Sequence, residues 1–435
     1  MIPTIRVYLL LLLGLAIAVI VAAVWGTQIS LISTLGFDVL VLGLAWMDGQ
    51  RVRSHRVQIT RQPLHHLSIG RENPVTLSIE SSDRPAAIQV RDYFPANFWA
   101  STTILRAALP SNSIQSLTYT VCPLSRGEFP WGDIQVRQLS PWKLAWHDWK
   151  ISQSQTIAVY PDLLALRSLS IRLTLQSAGA IRQARRLGIG TEFAELREYA
   201  TGDDPRMIDW KATARRSRPL VRVLEPEQEQ TLIVLLDRGR LMTARVQGLT
   251  RFDWGLNATL ALALAGLTRG DRVGVGVFDR QVHTWIPPER GQQHLTHLID
   301  RLTPIQPTLL EPDYLGAVTK LVNQQTRRAL VVLITDLIDP TASAELLSAL
   351  ARLAPRYLPF CVTLRDPQVD RQAHTLTQEV AATYARAVAL DLLAQRQVAF
   401  AQLKQKGVLV LDAPADKISD QLVDRYLQLK ARNQL

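Results

Sequence analysis

Two uninterrupted apolar runs open the chain. Val7–Trp25 contains no charged residue, Gly26-Thr27-Gln28 make a short polar break, and Ile29–Met47 carries a single charge, Asp38. At ~1.5 Å per residue, either run is long enough to cross a hydrocarbon layer about 30 Å thick. So short a break permits only an antiparallel turn, so the pattern predicts a transmembrane helical hairpin over residues 1–50. Arg6 precedes it, Arg51, Arg53, Arg56 and Arg61 follow it, and its tip carries no basic residue. The bias of Lys and Arg toward the inner side then predicts both ends in the cytoplasm: an inner (plasma) membrane protein with two helices and the bulk of the chain cytoplasmic. Trp25 and Trp46 fall where interfacial aromatics belong. A cleaved signal peptide ending near Ala22-Ala23 is the rival reading, and the second apolar run directly behind it argues against that. Asp38 is costly in lipid unless protonated or paired, and both readings stand.

From residue 51 to about 165 the period changes to two. Val75–Ile79, Ala87–Val90, Ser116–Val121 and Asp133–Arg137 alternate apolar and polar positions. Turn residues separate them (Asn73-Pro74, Asp83 to Pro85, Arg126-Gly127), which predicts a β-sandwich-like segment of short antiparallel strands. Trp131, Trp142, Trp146 and Trp149 suit core or interfacial packing better than a ligand platform. His55, His65 and His66 have no matching Cys or carboxylate cluster, so no metal is expected there.

Residues 166–229 read as a charged connector. Between Arg182 and Arg222 basic and acidic residues interleave, which favours an ion-paired network over a polybasic tail. Gly202 to Pro205 form a turn, Met207–Arg216 a helix and Leu220–Leu224 a strand. Glu192, Glu195 and Asp209 are candidates for paired-carboxylate chemistry. The surrounding arginines would hold them ionised, however, which suits ion pairing better than proton donation.

From 230 to 435, continuous Val/Ile/Leu runs alternate with helical stretches. The predicted strands are 231–236, 272–278, 329–335, 358–364 and 408–411. The predicted helices are 252–267, 292–302, 314–324, 342–353 and 377–404. Strands buried on both faces in this order give a doubly wound, mostly parallel sheet, with ligands beyond the strands' carboxyl ends. Asp237 and Asp336 lie there.

Composition adds a net charge of +11 and two cysteines, Cys122 and Cys361, with no CxxC spacing. The charge favours an anionic surface, membrane headgroups being the plainest, and the cysteine usage fits a reducing compartment.

Two resemblances follow from these residues. The C-terminal pattern resembles the von Willebrand factor A-like fold, in which the first strand ends in Asp-x-Ser-x-Ser. A Thr and a later Asp complete a divalent cation site of hard oxygen ligands. Here the run is Asp237-Arg-Gly-Arg-Leu241, so Gly239 and Leu241 stand in place of the serines. Glu311-Pro312 falls at the Thr position, with Thr308 nearby. Asp237 and Asp336 are thus the remains of a degenerate metal site. Mg²⁺ is not expected to be held there, no other cofactor is expected, and an arginine–carboxylate pair is expected instead. Arg238 and Arg240 bring positive charge to this face, which is the expected partner-binding surface. The run G-x-E-F-x-x-L-R-x-Y-x-x-G-D-x-x-R-x-I-D-W-K-x-x-A-R spans Gly190, Glu192, Phe193, Leu196, Arg197, Tyr199, Gly202, Asp203, Arg206, Ile208, Asp209, Trp210, Lys211, Ala214 and Arg215. With the hairpin, the β-rich segment and the α/β region in this order, it resembles the bacterial domain of unknown function 58 family. That resemblance implies a non-enzymatic membrane scaffold or adaptor, with a MoxR-type AAA ATPase as protein partner. An uncharacterised hydrolase is the alternative, although no P-loop, G-x-S-x-G or H-E-x-x-H is present. Nucleic-acid binding through the connector is a third reading, and the interleaved acids argue against it.

Overall fold

A computed structural model describes residues 1–64, 66–174, 192–201, 203–225, 230–337, 343–375, 379–432 and 434. The chain divides into two compact units, Met1–Tyr160 and Pro161–Leu435.

In the first unit a two-residue strand, β1 (Ile2–Pro3), precedes helices α1 (Ile5–Trp25) and α2 (Thr27–Arg51). Both are long and apolar enough to cross a membrane. They turn at Gly26, whose φ of 89° belongs to the left-handed region that glycine enters without strain. The Ser30 hydroxyl donates to the Ala18 carbonyl across the pair at 2.7 Å. Asp38 Oδ1 is buried and has no hydrogen-bond partner among the described residues.

Eleven strands follow: β2 (Gln58–Arg61), β3 (Leu67–Ser68), β4 (Asn73–Glu80), β5 (Ala86–Asp92), β6 (Phe98–Ala100), β7 (Leu105–Leu109), β8 (Ile114–Pro123), β9 (Gly127–Trp131), β10 (Ile134–Leu139), β11 (Ala145–Ile151) and β12 (Gln155–Tyr160). They form sheets ordered β1-β11-β10-β5-β7, β2-β4-β8-β6 and β3-β12-β9. All pairs are antiparallel except β3 with β12. Alternate residues of the first two sheets, among them Leu77, Ile79, Val90, Ile134 and Val136, meet in one core. This is the packing that a period of two requires.

A charged cluster is set into this unit. Arg61 pairs with Asp92, and both side chains are 2% exposed. Asp92 also accepts from the Tyr119 hydroxyl at 2.7 Å and from Trp131 Nε1 at 3.1 Å. Arg61 donates further to the carbonyls of Gln153 (2.8 Å) and Gly132 (2.9 Å). Every lone pair and N–H of such a buried pair needs a partner, and this one is well supplied.

The second unit begins with helix α3 (163–174 as described), then β13 (Glu192–Glu198), α4 (Trp210–Arg216) and β14 (Leu220–Glu225), with β13 and β14 paired antiparallel. The helix expected from Met207 starts at Trp210 instead. Ile208 is extended and bridges Val221, and the Asp209 carboxylate accepts from the Lys211 and Ala212 amides at 3.0 Å as the cap. The strand from Glu192 was not expected: its dense charges hide the alternation.

The remaining elements are β15 (Thr231–Asp237), the small hairpin β16 (Arg245–Val246) and β17 (Leu249–Thr250), α5 (Arg251–Thr268), β18 (Arg272–Phe278), β19 (Val282–Glu289), α6 (Gln292–Leu302), α7 (Tyr314–Gln324), β20 (Leu330–Thr335), α8 (Ala344–Leu353), β21 (Leu358–Arg365), α9 (Pro367–His374), α10 (Val380–Gln405), β22 (Leu409–Pro414) and α11 (Ile418–Ala431). One six-stranded sheet runs β19-β18-β15-β20-β21-β22, parallel except for β19 at its edge. Helices α5, α6 and α11 bury one face and α7, α8 and α10 the other. The single helix expected over 377–404 is α10 alone, preceded by the separate α9. α11 and β19 were also not expected.

Candidate functional site

Strand β15 is central, and the chain winds first to β18 on one side and then to β20 on the other. The carboxyl ends of β15 and β20 therefore flank the switch point of the sheet, where open α/β folds place ligands. Asp237 ends β15 and Asp336 follows β20, so the fold brings the two acids to this crevice.

Asp237 is fully buried. Its Oδ1 accepts from the Gly239 amide at 2.7 Å, and its Oδ2 from the Thr335 hydroxyl at 2.7 Å and the Tyr314 hydroxyl at 3.2 Å. Burial pushes its carboxyl up to about 6, against the lowering effect of those donors. Burial likewise raises the Tyr314 phenol, and Asp237 adds to it.

Asp336 is held by arginines from remote segments. Arg251, the first residue of α5, reaches its Oδ2 at 2.7 Å, and Arg396, well inside α10, reaches its Oδ1 at 2.8 Å. The other arm of Arg396 pairs with Asp412 of β22 at 2.8 Å. Asp412 also faces Arg365 at 3.4 Å, and Arg365 pairs with Asp370 at 3.0 Å. Arg396 donates to the Leu337 carbonyl as well, and its guanidinium lies 5.7 Å from the Phe400 ring. Burial alone would lower its affinity for a proton, but Asp336 and Asp412 more than offset that and raise it. The result is a row of alternating charges, Arg251–Asp336–Arg396–Asp412–Arg365, along the carboxyl edge of the sheet.

Arg238 and Arg240 do not contribute to this row. Arg238 pairs with Asp279 at 2.8 Å and Arg240 with Glu311 at 2.7 Å. Burial raises the Asp279 carboxyl, but Arg238, the Gln281 amide and the Thr308 hydroxyl together outweigh it and hold that carboxyl below its usual range. Thr308 turns toward Arg238 and Asp279: its amide donates to the Arg238 carbonyl at 2.7 Å. An open pocket of about 690 Å³ adjoins these residues, lined by Arg238, His283, Arg301, Pro307 and Thr308 among others.

These residues do not fit a divalent cation. Arginines take both oxygens of Asp336, protein donors take both oxygens of Asp237, and Gly239 and Leu241 offer no side-chain oxygen. Nor is there room to restore one. A Cβ on Gly239 would lie 2.9 Å from the Leu310 carbonyl oxygen and from Pro312 Cδ, and 3.0 Å from Asp237 Oδ1. Gly239→Ser is therefore expected to destabilise the fold by about 1–3 kcal/mol through overpacking. Thermal melting of the purified variant checks this, and an unchanged midpoint would refute it.

Asp237 carries its own pH signature. Its folded-state pKa lies above the ordinary 3.8, at about 6, so the folded state binds the extra proton. The contribution of this group to stability is thus largest below pH 3.8 and is lost as pH rises toward 6. Asp237→Asn is expected to melt higher than the parent at pH 8, on the order of 1–3 kcal/mol, with the gap closing in acid. A deficit of constant size at every pH would contradict this.

The motif residues build a compact hairpin. Asp203 accepts from Arg197 and, at 2.8 Å, from the Ala200 amide; Asp209 pairs with Arg222 at 2.9 Å; Glu198 pairs with Arg218 at 2.7 Å. The Tyr199 amide donates to the Pro219 carbonyl at 2.9 Å. Trp210 is 70% exposed, Leu196 is 37% exposed, and Arg206, Lys211, Ala214 and Arg215 are exposed beside them. For Glu192 and Phe193 only the backbone strand is described, and Gly190 and Gly202 lie outside the described residues, as do Arg182 and His65.

Residues that sequence reasoning missed are Arg251, Arg396, Asp412, Tyr314 and Asp279. Asp279 and Asp412 do carry a signal, since each stands at or near the carboxyl end of a predicted strand.

Residues 195–375 match the family described as protein of unknown function DUF58. An uncharacterized protein of Mycobacterium tuberculosis is 25% identical over 210 residues, 47% of this chain; the chain spans 65% of that relative's length. The uncharacterized protein YeaD of Bacillus subtilis is 23% identical over 278 residues, covering 63% of this chain and 62% of YeaD. Among solved structures, the hypothetical protein BatB from Bacteroides thetaiotaomicron aligns with 47% of this chain and 99% of its own at 14% identity, TM-score 0.33. An aerotolerance-related membrane protein from Bacteroides fragilis aligns with 45% of this chain and 99% of its own at 16% identity, TM-score 0.30. These scores are too low to carry a fold assignment.

Proposed function

We propose that this chain is a non-enzymatic scaffold, anchored by its N-terminal hairpin in the inner membrane with the remainder on the cytoplasmic side. In this reading the second unit is a von Willebrand factor A-like domain that docks a protein partner, a MoxR-type AAA ATPase, at the carboxyl edge of its sheet. The observation that carries the reading is the row of arginines on Asp336 and Asp412. It occupies the switch point with the chain's own cations, and so leaves a fixed face that needs no metal to be completed. An antiparallel edge strand on an otherwise parallel sheet supports the domain assignment. The open pocket beside Arg238 supplies a place for a partner side chain, and exposed Trp210 with the exposed cations Arg206, Lys211 and Arg215 extends the surface available. The basic residues that flank the hairpin, with none at its tip, support the orientation.

The test uses the full chain in detergent and a purified MoxR-type ATPase from the same organism. Saturable binding, unchanged by chelator and weakened about 10-fold or more by the double variant Arg238→Glu with Arg240→Glu, is expected. Absence of binding by the folded, full-length chain, or binding abolished by chelator, overturns the proposal.

A further inference from the structure

Within the first unit, the loop joining β10 to β11 meets the polar end of the helix pair. The Asp48 carboxylate, fully buried near the end of α2, accepts from the Trp142 amide at 3.2 Å and the Leu144 amide at 3.3 Å. From the other helix, the Thr4 amide donates to the Leu144 carbonyl at 2.9 Å and its hydroxyl to the Lys143 carbonyl at 2.8 Å. Leu144 packs on Val7, Val41 and Ala45 at the base of α1 and α2. The loop is thus clamped at the level where the apolar helices end, which is the level of the headgroups if they span a bilayer.

Its Pro141, Trp142 and Lys143 side chains are exposed. Lys143 is exposed and held at φ 61°, a left-handed conformation that a non-glycine residue keeps only when its surroundings enforce it. Trp142 is 44% exposed, with the Arg51 guanidinium 4.2 Å from its ring centroid, and Trp46, on the last turns of α2, is 63% exposed. Arg6, Arg51, Arg53 and Lys143 are exposed and have no carboxylate partner among the described residues. Asp48, the acid at this level, is spent on backbone amides.

We propose that this collar, Lys143 and Arg51 with Trp142 and Trp46, binds the headgroup of an anionic phospholipid and so seats the β-rich body on the membrane. Exposed cations with no carboxylate partner among the described residues, interleaved with interfacial tryptophans, match that headgroup in charge, and the site is continuous with the two apolar helices. An acidic protein would meet the same charge, but nothing about a protein surface requires the tryptophans to ring the ends of apolar helices. The inference rests on insertion of the hairpin in a bilayer, and it adds a lipid class and the residues that select it.

The experiment incorporates the full chain into nanodiscs of phosphatidylcholine alone or with phosphatidylglycerol, and measures by mass spectrometry the lipid retained on release into detergent. The parent is expected to retain phosphatidylglycerol preferentially, and Lys143→Gln or Arg51→Gln to lose about 5-fold in that preference for each charge removed. Lys143→Gly relieves the backbone strain while removing the charge, so it should fold and still lose the preference. Lys143→Arg should keep it. Equal retention of both lipids by the parent, an unchanged preference in the Lys143 and Arg51 variants, or displacement by inorganic phosphate would each overturn the proposal. A chain that fails to enter either nanodisc would instead overturn the membrane reading on which it rests.

Discussion

Replacing Arg396 with methionine is expected to lower the stability of the second unit by about 3 kcal/mol or more, the cost of breaking a buried ion pair from one side. The reason lies in what this guanidinium serves. It spans two carboxylates from different strands, Asp336 with a side chain 3% exposed and Asp412 at 11%. Without it, Asp336 keeps Arg251 and the Leu337 amide, and Asp412 keeps Arg365 at 3.4 Å and the Thr363 hydroxyl; the amide and the hydroxyl are neutral donors that do not replace the lost charge. For a unit of this size the loss corresponds to a fall in melting temperature on the order of 6–12 °C. Arg396→Lys retains the charge but not the two-armed geometry, so it should fall between parent and methionine variant. Salt should rescue neither, because the pairs lie out of reach of screening ions. A melting temperature within a degree or two of the parent would mean that the row of charges is incidental to the fold.

The second large effect is expected in the β-rich unit. Asp92→Ala leaves Arg61 as an uncompensated charge in a core where its side chain is 2% exposed, and strips acceptors from Tyr119 and Trp131. A loss of about 3–5 kcal/mol follows, enough to unfold a marginal domain. Replacing Arg61 and Asp92 together by leucine should cost less than Asp92→Ala alone, since no charge is then left in the core. Intrinsic fluorescence of the detergent-solubilised chain and limited proteolysis report both. If the double variant were the worse of the two, the pair would be contributing net stability, and the desolvation argument would be wrong.

Much of this architecture could be read in the sequence because it rests on local periodicity. The strands at 231–237, 272–278, 330–335 and 358–365 are dominated by apolar residues covered on both faces, and the helices at 292–302 and 314–324 carry a clear apolar stripe. β19 escaped notice because Pro287 and Pro288 interrupt it, and proline is tolerated there only because the strand lies at the sheet edge. α11 had a usable signal, with Ile418, Leu422, Val423, Tyr426 and Leu429 on one buried side. The candidate site was half legible. Asp237 and Asp336 follow from strand ends, whereas the arginines that meet Asp336 come from 85 residues earlier and 60 residues later in the chain. Arg238 and Arg240, the neighbours in sequence, point to Asp279 and Glu311 instead, because successive residues beyond a strand leave its end in different directions. Tertiary ion pairs carry no local pattern, so only the folded chain reveals which arginine serves which acid.

If guanidinium groups rather than a divalent cation complete the carboxyl edge of the sheet, the chain has no use for a metal there. Titration of Mn²⁺ and Mg²⁺ into the chelator-stripped full chain, followed by calorimetry and thermal melting, tests it most directly. No saturable heat and no rise in melting temperature are expected at millimolar metal. A stoichiometric, stabilising site that disappears in Asp237→Ala or Asp336→Ala would contradict it.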